Sequence, residues 1–381
     1  MTRREFIALS AVLLAGCAPM PQIPTPAPTK GISVTTTPDN LDVMTGQMLM
    51  IGFRGFDANA DSAIARDLRE RNIGSVVLFD YDMATQKRER NVKSPGQVKA
   101  LCAALQSIAP TKLLIAIDQE GGKVARLTER YGFPATVSQQ TLGAKNDRAY
   151  TRQVADTTAQ TLANAGINLN LAPVVDLNTN PDNPVIGKIE RSFSADASVV
   201  TNHARELIAA HHARGVLTTL KHFPGHGSSK ADSHLGFVDV TQTWSRVELE
   251  PYRQIIAAGE CDAVMTAHVF NANLDPQLPA TLSQKILTGI LRDELKFDGV
   301  IITDDMGMGA IVQHYGFEHA LALALNAGAD ILALANNSAT FDENVATRAF
   351  AAIKQLVNDG KISRARIEQS YQRVMRLKSR A

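Results

Sequence analysis

From residue 40 onward the chain alternates short apolar runs with longer amphipathic stretches. The apolar runs are Gly46–Phe53, Gly74–Phe79, Leu113–Ile117, Asn168–Val175, Val216–Leu220, Ala263–Thr266, Gly299–Thr303 and Ile331–Leu334. They are short and bounded by polar residues, as strands buried on both faces are. Helical spacing of apolar positions runs through Ser62–Arg71, Val199–Arg214, Leu249–Ala258, Ser283–Leu295 and Glu318–Ala327, and again through Asp342–Arg380. Strand and helix signals interleaved in this way predict an α/β protein, a (β/α)8 TIM barrel forming a single domain over residues 40–381. An open doubly wound sheet is the alternative. No Gly-x-Gly-x-x-Gly follows the first strand, which counts against a dinucleotide-binding version of it.

The first 39 residues depart from the pattern. Arg3 and Arg4 precede an apolar run from Phe6 to Leu14, then Leu14-Ala15-Gly16-Cys17. The run is too short to span a bilayer and has the layout of an export signal over residues 1–17. Leu-Ala-Gly-Cys resembles the bacterial lipoprotein signal, in which Cys17 is lipidated, and Thr2–Phe6 resembles a twin-arginine signal. Residues 18–39, with prolines at 19, 21, 24, 26, 28 and 38, read as an extended tether. The expected location is therefore exported and membrane-anchored by a lipid, on the periplasmic or cell-surface side. Cys102 and Cys261 lie in apolar surroundings and read as buried free thiols. A formal net charge of +1 gives no electrostatic reason to expect a nucleic-acid partner.

Polar residues gather where the strand candidates end. Leu113–Ile117 runs into Asp118-Gln119-Glu120-Gly121-Gly122, and Val216–Leu220 into Lys221-His222-Phe223-Pro224-Gly225-His226-Gly227. Asp232-Ser233-His234 follows shortly after, His268 follows Ala263–Thr266, and Asp304-Asp305 follows Gly299–Thr303. In a parallel barrel these positions share one mouth. Carboxylates, a lysine and histidines there, without an evident Ser or Cys nucleophile, suit acid–base work on a polar substrate. Asp304 fits a carboxylate nucleophile, and Asp232 beside His234 fits a proton donor and acceptor. A metal shell from His222, His226, Asp232 and His234 is the competing reading, but the spacing matches neither His-Glu-x-x-His nor a paired Cys/His pattern. No metal or cofactor is expected. His226 reads as a structural histidine rather than a catalytic one, His268 as either a substrate contact or a support, and Asp305 as a capping or supporting carboxylate. The charged stretch Asp80–Asn91 reads as a solvated loop, with altered leaving-group subsites as the alternative.

Lys221–Gly227 followed by Asp232–His234 resembles glycoside hydrolase family 3, in its β-N-acetylhexosaminidase branch. Ile117–Arg126, Asn170–Asp176, Arg191–Ser194, Pro279–Ser283 and Phe297–Met306 resemble that family in the same order, over roughly residues 40 to 340. The resemblance implies a TIM barrel and a retaining exo-acting hydrolase for terminal N-acetylglucosamine, on peptidoglycan fragments or related glycans. It implies Asp304 as nucleophile, His234 as acid/base on a loop after the fifth strand, and Asp232 as its partner. Asp118, Arg126, Arg191, Lys221 and His222 match the family's sugar-binding positions. The acid/base histidine and the absence of room for a second domain point away from the β-glucosidase branch. A monomer is expected, with carbohydrate and a lipid anchor as its partners. Two other readings stand beside this one: phosphorolysis at the same site, since a neutral histidine repels phosphate less than a glutamate, and a non-catalytic glycan-binding lipoprotein.

Overall fold

The computed structural model describes residues 41–232 and 236–381. The export signal, the tether, Cys17 and His234 lie outside the described residues. Eight parallel strands form one sheet: β1 (Leu49–Gly52), β2 (Ser75–Leu78), β3 (Leu114–Ile117), β4 (Leu169–Asn170), β5 (Leu217–Phe223), β6 (Ala263–Thr266), β7 (Val300–Ile302) and β8 (Leu332–Leu334). Each strand pairs with the next, and β1 pairs with β8. A parallel bridge between Ile302 and Ile331 joins the last two edges, so the sheet closes into the expected (β/α)8 barrel.

Strand side chains alternate between two cores. Met50, Val77, Leu114, Ala116, Met265, Val300, Ile302 and Ala333 fill the barrel interior. Their neighbours Leu49, Ile51, Val76, Ile115, Ile117, Val264, Ile301 and Leu332 pack outward against the helices. Both faces are therefore dry, which is why these strands read as unbroken apolar runs. The last helix, Arg364–Lys378, sends Val374 and Leu377 into the interior cluster and so plugs the end opposite the mouth. Its Lys378 ammonium donates to the Gly74 carbonyl at 2.7 Å, and burial pushes its pKa down to about 7.

The differences from expectation are local. Residues 46–48 do not extend β1, because a short helix, Leu41–Gln47, ends there. The fourth strand is laddered only at Leu169–Asn170, since Pro173 has no N–H to donate, and Val174 rejoins by a bridge to Lys221. Asp342–Arg380 is two helices, Val345–Asn358 and Arg364–Lys378. Cys102 is buried, Cys261 is half-buried, and both are free thiols.

Candidate active site

The C-terminal ends of β3 and β5 carry a saturated ion network. Asp118 and Glu120 alternate in phase just past β3, which puts both carboxylates on one side of the chain. Lys221, in the last part of β5, reaches both: its Nζ lies 2.7 Å from Asp118 Oδ1 and 2.6 Å from Glu120 Oε1. Arg191 grips Glu120 with two parallel bonds of 2.8 Å, and Arg126 donates to Asp118 at 3.2 Å. Burial opposes these charges, but the cations outweigh it and hold Asp118 and Glu120 below the usual carboxylate range. By the same balance Glu120 raises Arg191 above its ordinary value. The lysine side chain is only 2% exposed, whereas Asp118 is 17% and Arg126 26% exposed. Asp118 and Arg126 thus form the accessible edge, and Lys221 with Glu120 lies beneath it.

His222 belongs to the same network. Arg191 Nη2 donates to its Nε2 at 3.1 Å, which leaves Nδ1–H to donate to Asp176 at 2.6 Å. Asp176 also accepts from the His226 N–H at 2.7 Å. Burial again works against its charge, and the His222 ring with the His226 N–H outweighs burial and holds it low. Both nitrogens of His222 therefore face protein groups.

The turn after β5 is built on glycine. Gly225 has φ +127°, and a Cβ there would collide with Glu248. At Gly227 a Cβ would collide with the Leu177 carbonyl. The Asn183 amide holds the turn from the loop after β4, donating to the carbonyl of His226 at 2.7 Å and that of Gly227 at 3.2 Å. His226 Nδ1 meets the Ser229 hydroxyl, and burial with the His222 ring beside it pushes the imidazole down to about 4. It is a neutral structural histidine, as its setting in the sequence suggested. Asp232, half-buried, is the last described position before residues 233–235.

Asp304 stands just past β7, half-buried, with its backbone fixed on both sides. Its own N–H donates to Thr266 Oγ1 at 3.2 Å, and the Asp305 N–H donates to its Oδ1 at 2.8 Å. Asp304 follows β7 and His226 follows β5, so both lie at the C-terminal end of the parallel barrel, and the negative charge of Asp304 acts on the His226 ring. Asp305 turns away: its Oδ1 accepts from the N–H groups of Gly307 and Ala335 at 3.1 and 2.9 Å. His268, read from the sequence as either a substrate contact or a support, has supporting partners in the structure. It is 1% exposed, its Nε2 donates to the Asp305 carbonyl at 2.9 Å, and its Nδ1 lies 2.8 Å from the Thr281 hydroxyl. It braces the segment that follows Asp304.

The charged stretch after β2 also differs from the solvated reading. Residues 85–89 at its tip are exposed, but Asp80, Asp82, Arg90 and Asn91 at its base are buried. Asp82 receives Arg54 at 2.7 Å and Arg90 at 2.9 Å, and Arg90 donates to the carbonyls of Ala335 and Asn336. Sequence reasoning also passed over Glu120, Asp176 and Glu248 as functional groups. The phase of Glu120 with Asp118 was a usable signal; nothing local marks Glu248. Among the described residues no cluster of three or more His, Cys, Asp or Glu is placed to hold a metal ion.

Residues 40–377 match the family model described as the glycosyl hydrolase family 3 N terminal domain. A β-hexosaminidase A of Pseudoalteromonas piscicida is 33% identical over 377 residues, covering 88% of this chain and 60% of that protein. A β-hexosaminidase of Tolumonas auensis is 36% identical over 298 residues, covering 76% of this chain and 83% of that one. The structure of a glycoside hydrolase family 3 β-N-acetylglucosaminidase from Paenibacillus sp. FPU-7 superposes with TM-score 0.81 at 38% identity, covering 90% of this chain and 62% of that chain. A β-N-acetylhexosaminidase structure from Beutenbergia cavernae gives TM-score 0.79 at 30% identity, covering 89% and 98%. This chain thus spans about the whole of some relatives and under two thirds of others. With its closed barrel and its charged mouth, the chain belongs to glycosyl hydrolase family 3.

Proposed function

We propose that this protein is a retaining exo-β-N-acetylglucosaminidase acting on terminal N-acetylglucosamine of peptidoglycan fragments or related glycans. The observation that carries the reading is Asp304: a half-buried carboxylate at the mouth whose backbone is fixed by Thr266 and by the Asp305 segment that His268 braces. A nucleophile needs that fixed aim. In this reading Asp304 attacks the anomeric carbon, and the leaving oxygen takes a proton from His234. His234 then removes a proton from the water that releases the sugar, with Asp232 orienting its ring and stabilising its charged form. Asp118 accepts from sugar hydroxyls, and Arg126 donates at the accessible edge. Lys221 holds Asp118 in position, and Arg191 with His222 supports Glu120 and Asp176 behind it.

The test is hydrolysis of aryl N-acetyl-β-glucosaminides with the product anomer followed by NMR. The β anomer should form first. Asp304→Ala and His234→Ala should each lower kcat/KM by about a thousandfold or more. Full activity in either variant would overturn the assignment. Formation of sugar 1-phosphate in phosphate buffer would transfer the reading to phosphorolysis. The Leu-Ala-Gly-Cys motif supports export and lipidation at Cys17. Labelled fatty acid should enter the wild type and not Cys17→Ala.

A further inference from the structure

Beneath the turn that follows β5 lies a buried carboxyl with no part in the reaction above. Glu248, in the one-turn helix Arg246–Leu249, is 1% exposed. Its Oε2 accepts from the Gly227 N–H at 3.2 Å, and the bare Cα of Gly225 lies directly against its side chain. Oε1 and the neighbouring Ser228 hydroxyl lie close without forming a well-angled hydrogen bond. Four residues before it, Trp244 donates its Nε1–H to the Pro224 carbonyl at 3.0 Å. One short segment therefore touches Pro224, Gly225, Gly227 and Ser228. No basic side chain pairs with the Glu248 carboxyl among its described contacts, in contrast to Asp118 and Glu120.

We propose that Glu248 is a positioning residue for proton transfer: it is the prop on which the Pro224–Ser228 turn rests, and through that turn it sets where Asp232, the partner given to His234 above, stands. This rests on the acid/base role given to those two residues above. Glycine is required at 225 because the prop occupies the space of a side chain, so prop and turn fit only together. The carboxyl is suited to being neutral there. Burial, with ionised Asp176 nearby, pushes its pKa up to about 8. Ionisation would set a second buried anion beside Asp176 and weaken the fit. Of the other titratable groups packed around it, Asp176 is held low, His226 lies at about 4, and Tyr252 is raised well above 10. None of these titrates between pH 7 and 9.

Two readouts separate positioning from mere folding. Trp244 is the only tryptophan in the chain, so intrinsic emission reports the seat of the turn. Wild-type emission should titrate near pH 8, and that step should vanish in Glu248→Gln. Misplaced acid catalysis should penalise poor leaving groups selectively. Glu248→Ala should lower hydrolysis of the phenyl glycoside about tenfold or more beyond its effect on the 2,4-dinitrophenyl glycoside. Glu248→Gln, which keeps the shape and stays neutral, should restore both. Equal losses on both substrates, or a pH 8 emission step that persists in Glu248→Gln, would overturn the proposal. If Glu248→Ala does not fold, Glu248→Asp carries the test: a shortened prop should show the same leaving-group bias, and wild-type behaviour would overturn it. Absence of hydrolysis in the wild type would instead overturn the proposed function, and the emission titration would still judge the prop.

Discussion

The two flanks of the barrel mouth differ in how they treat ionisable groups taken out of water: one keeps them charged and the other neutral. On the flank built from β3 and the end of β5, Asp118, Glu120, Arg191 and Lys221 satisfy one another, and the carboxylates are driven below their ordinary range. On the flank built from the glycine turn, the His226 pKa falls to about 4 and that of Glu248 rises to about 8. Desolvation is the first force on Asp118, Glu120, Arg191, His226 and Glu248 alike. Where opposite charges stand within hydrogen-bond reach it is overcome and the groups stay ionised; where they do not, the groups become neutral. The mouth thus combines a charged frame of paired side chains with a neutral turn held by backbone hydrogen bonds.

The sharpest way to break this comparison is to remove the central cation. Lys221→Met leaves Asp118 and Glu120 buried with one partner each, and should cost about 3–5 kcal/mol of unfolding free energy by urea denaturation, with loss of activity. A cost below about 1 kcal/mol would mean that the frame is not a coupled unit. Next comes pH. The folded-state pKa of His226 and that of His211 both lie at about 4, below the ordinary 6.5. The unfolded chain therefore binds the extra protons first, so the stability from these two residues is complete above pH 6.5 and is lost as pH falls towards 4. His226→Gln should flatten part of that slope in thermal melts between pH 4 and 6.5, by a few kcal/mol at the acid end. A smaller effect is expected at Arg191→Lys. It loses the bidentate grip on Glu120, and about 1–3 kcal/mol with it, and should raise KM more than it lowers kcat. The smallest is Arg88→Ala. This cation pairs with Asp80 from a half-exposed position, and its loss should change stability by less than about 1 kcal/mol. A larger change would place the loop tip in the same coupled frame.

Much of this molecule was legible in its sequence. All eight strands showed as apolar runs because a barrel strand is dry on both sides. Ser62 and Ser94 mark helix starts as N-caps for the same local reason. The catalytic candidates could be named from the sequence because strand ends in such a fold share one face. The errors fall where the answer lay far along the chain. The stretch Asp80–Asn91 read as a solvated loop, yet Arg54 and the carbonyls of residues 335 and 336 engage Asp82 and Arg90 at its buried base. His268 was poised between two roles until Thr281 and the Asp305 carbonyl took its nitrogens. Glu248 looked like one more acid at the start of a helix.

The sequence by itself determined the order of the strands, the glycines that the turn after β5 requires, and the strand ends at which ionisable groups gather. These follow from periodicity and local sterics, which a chain carries in its neighbouring residues. Only the tertiary structure decided which of those groups stay charged. Protonation depends on what lies within a few ångströms in a dry interior, and for Asp118, Glu120 and Arg191 the deciding neighbours are dozens of residues away in sequence.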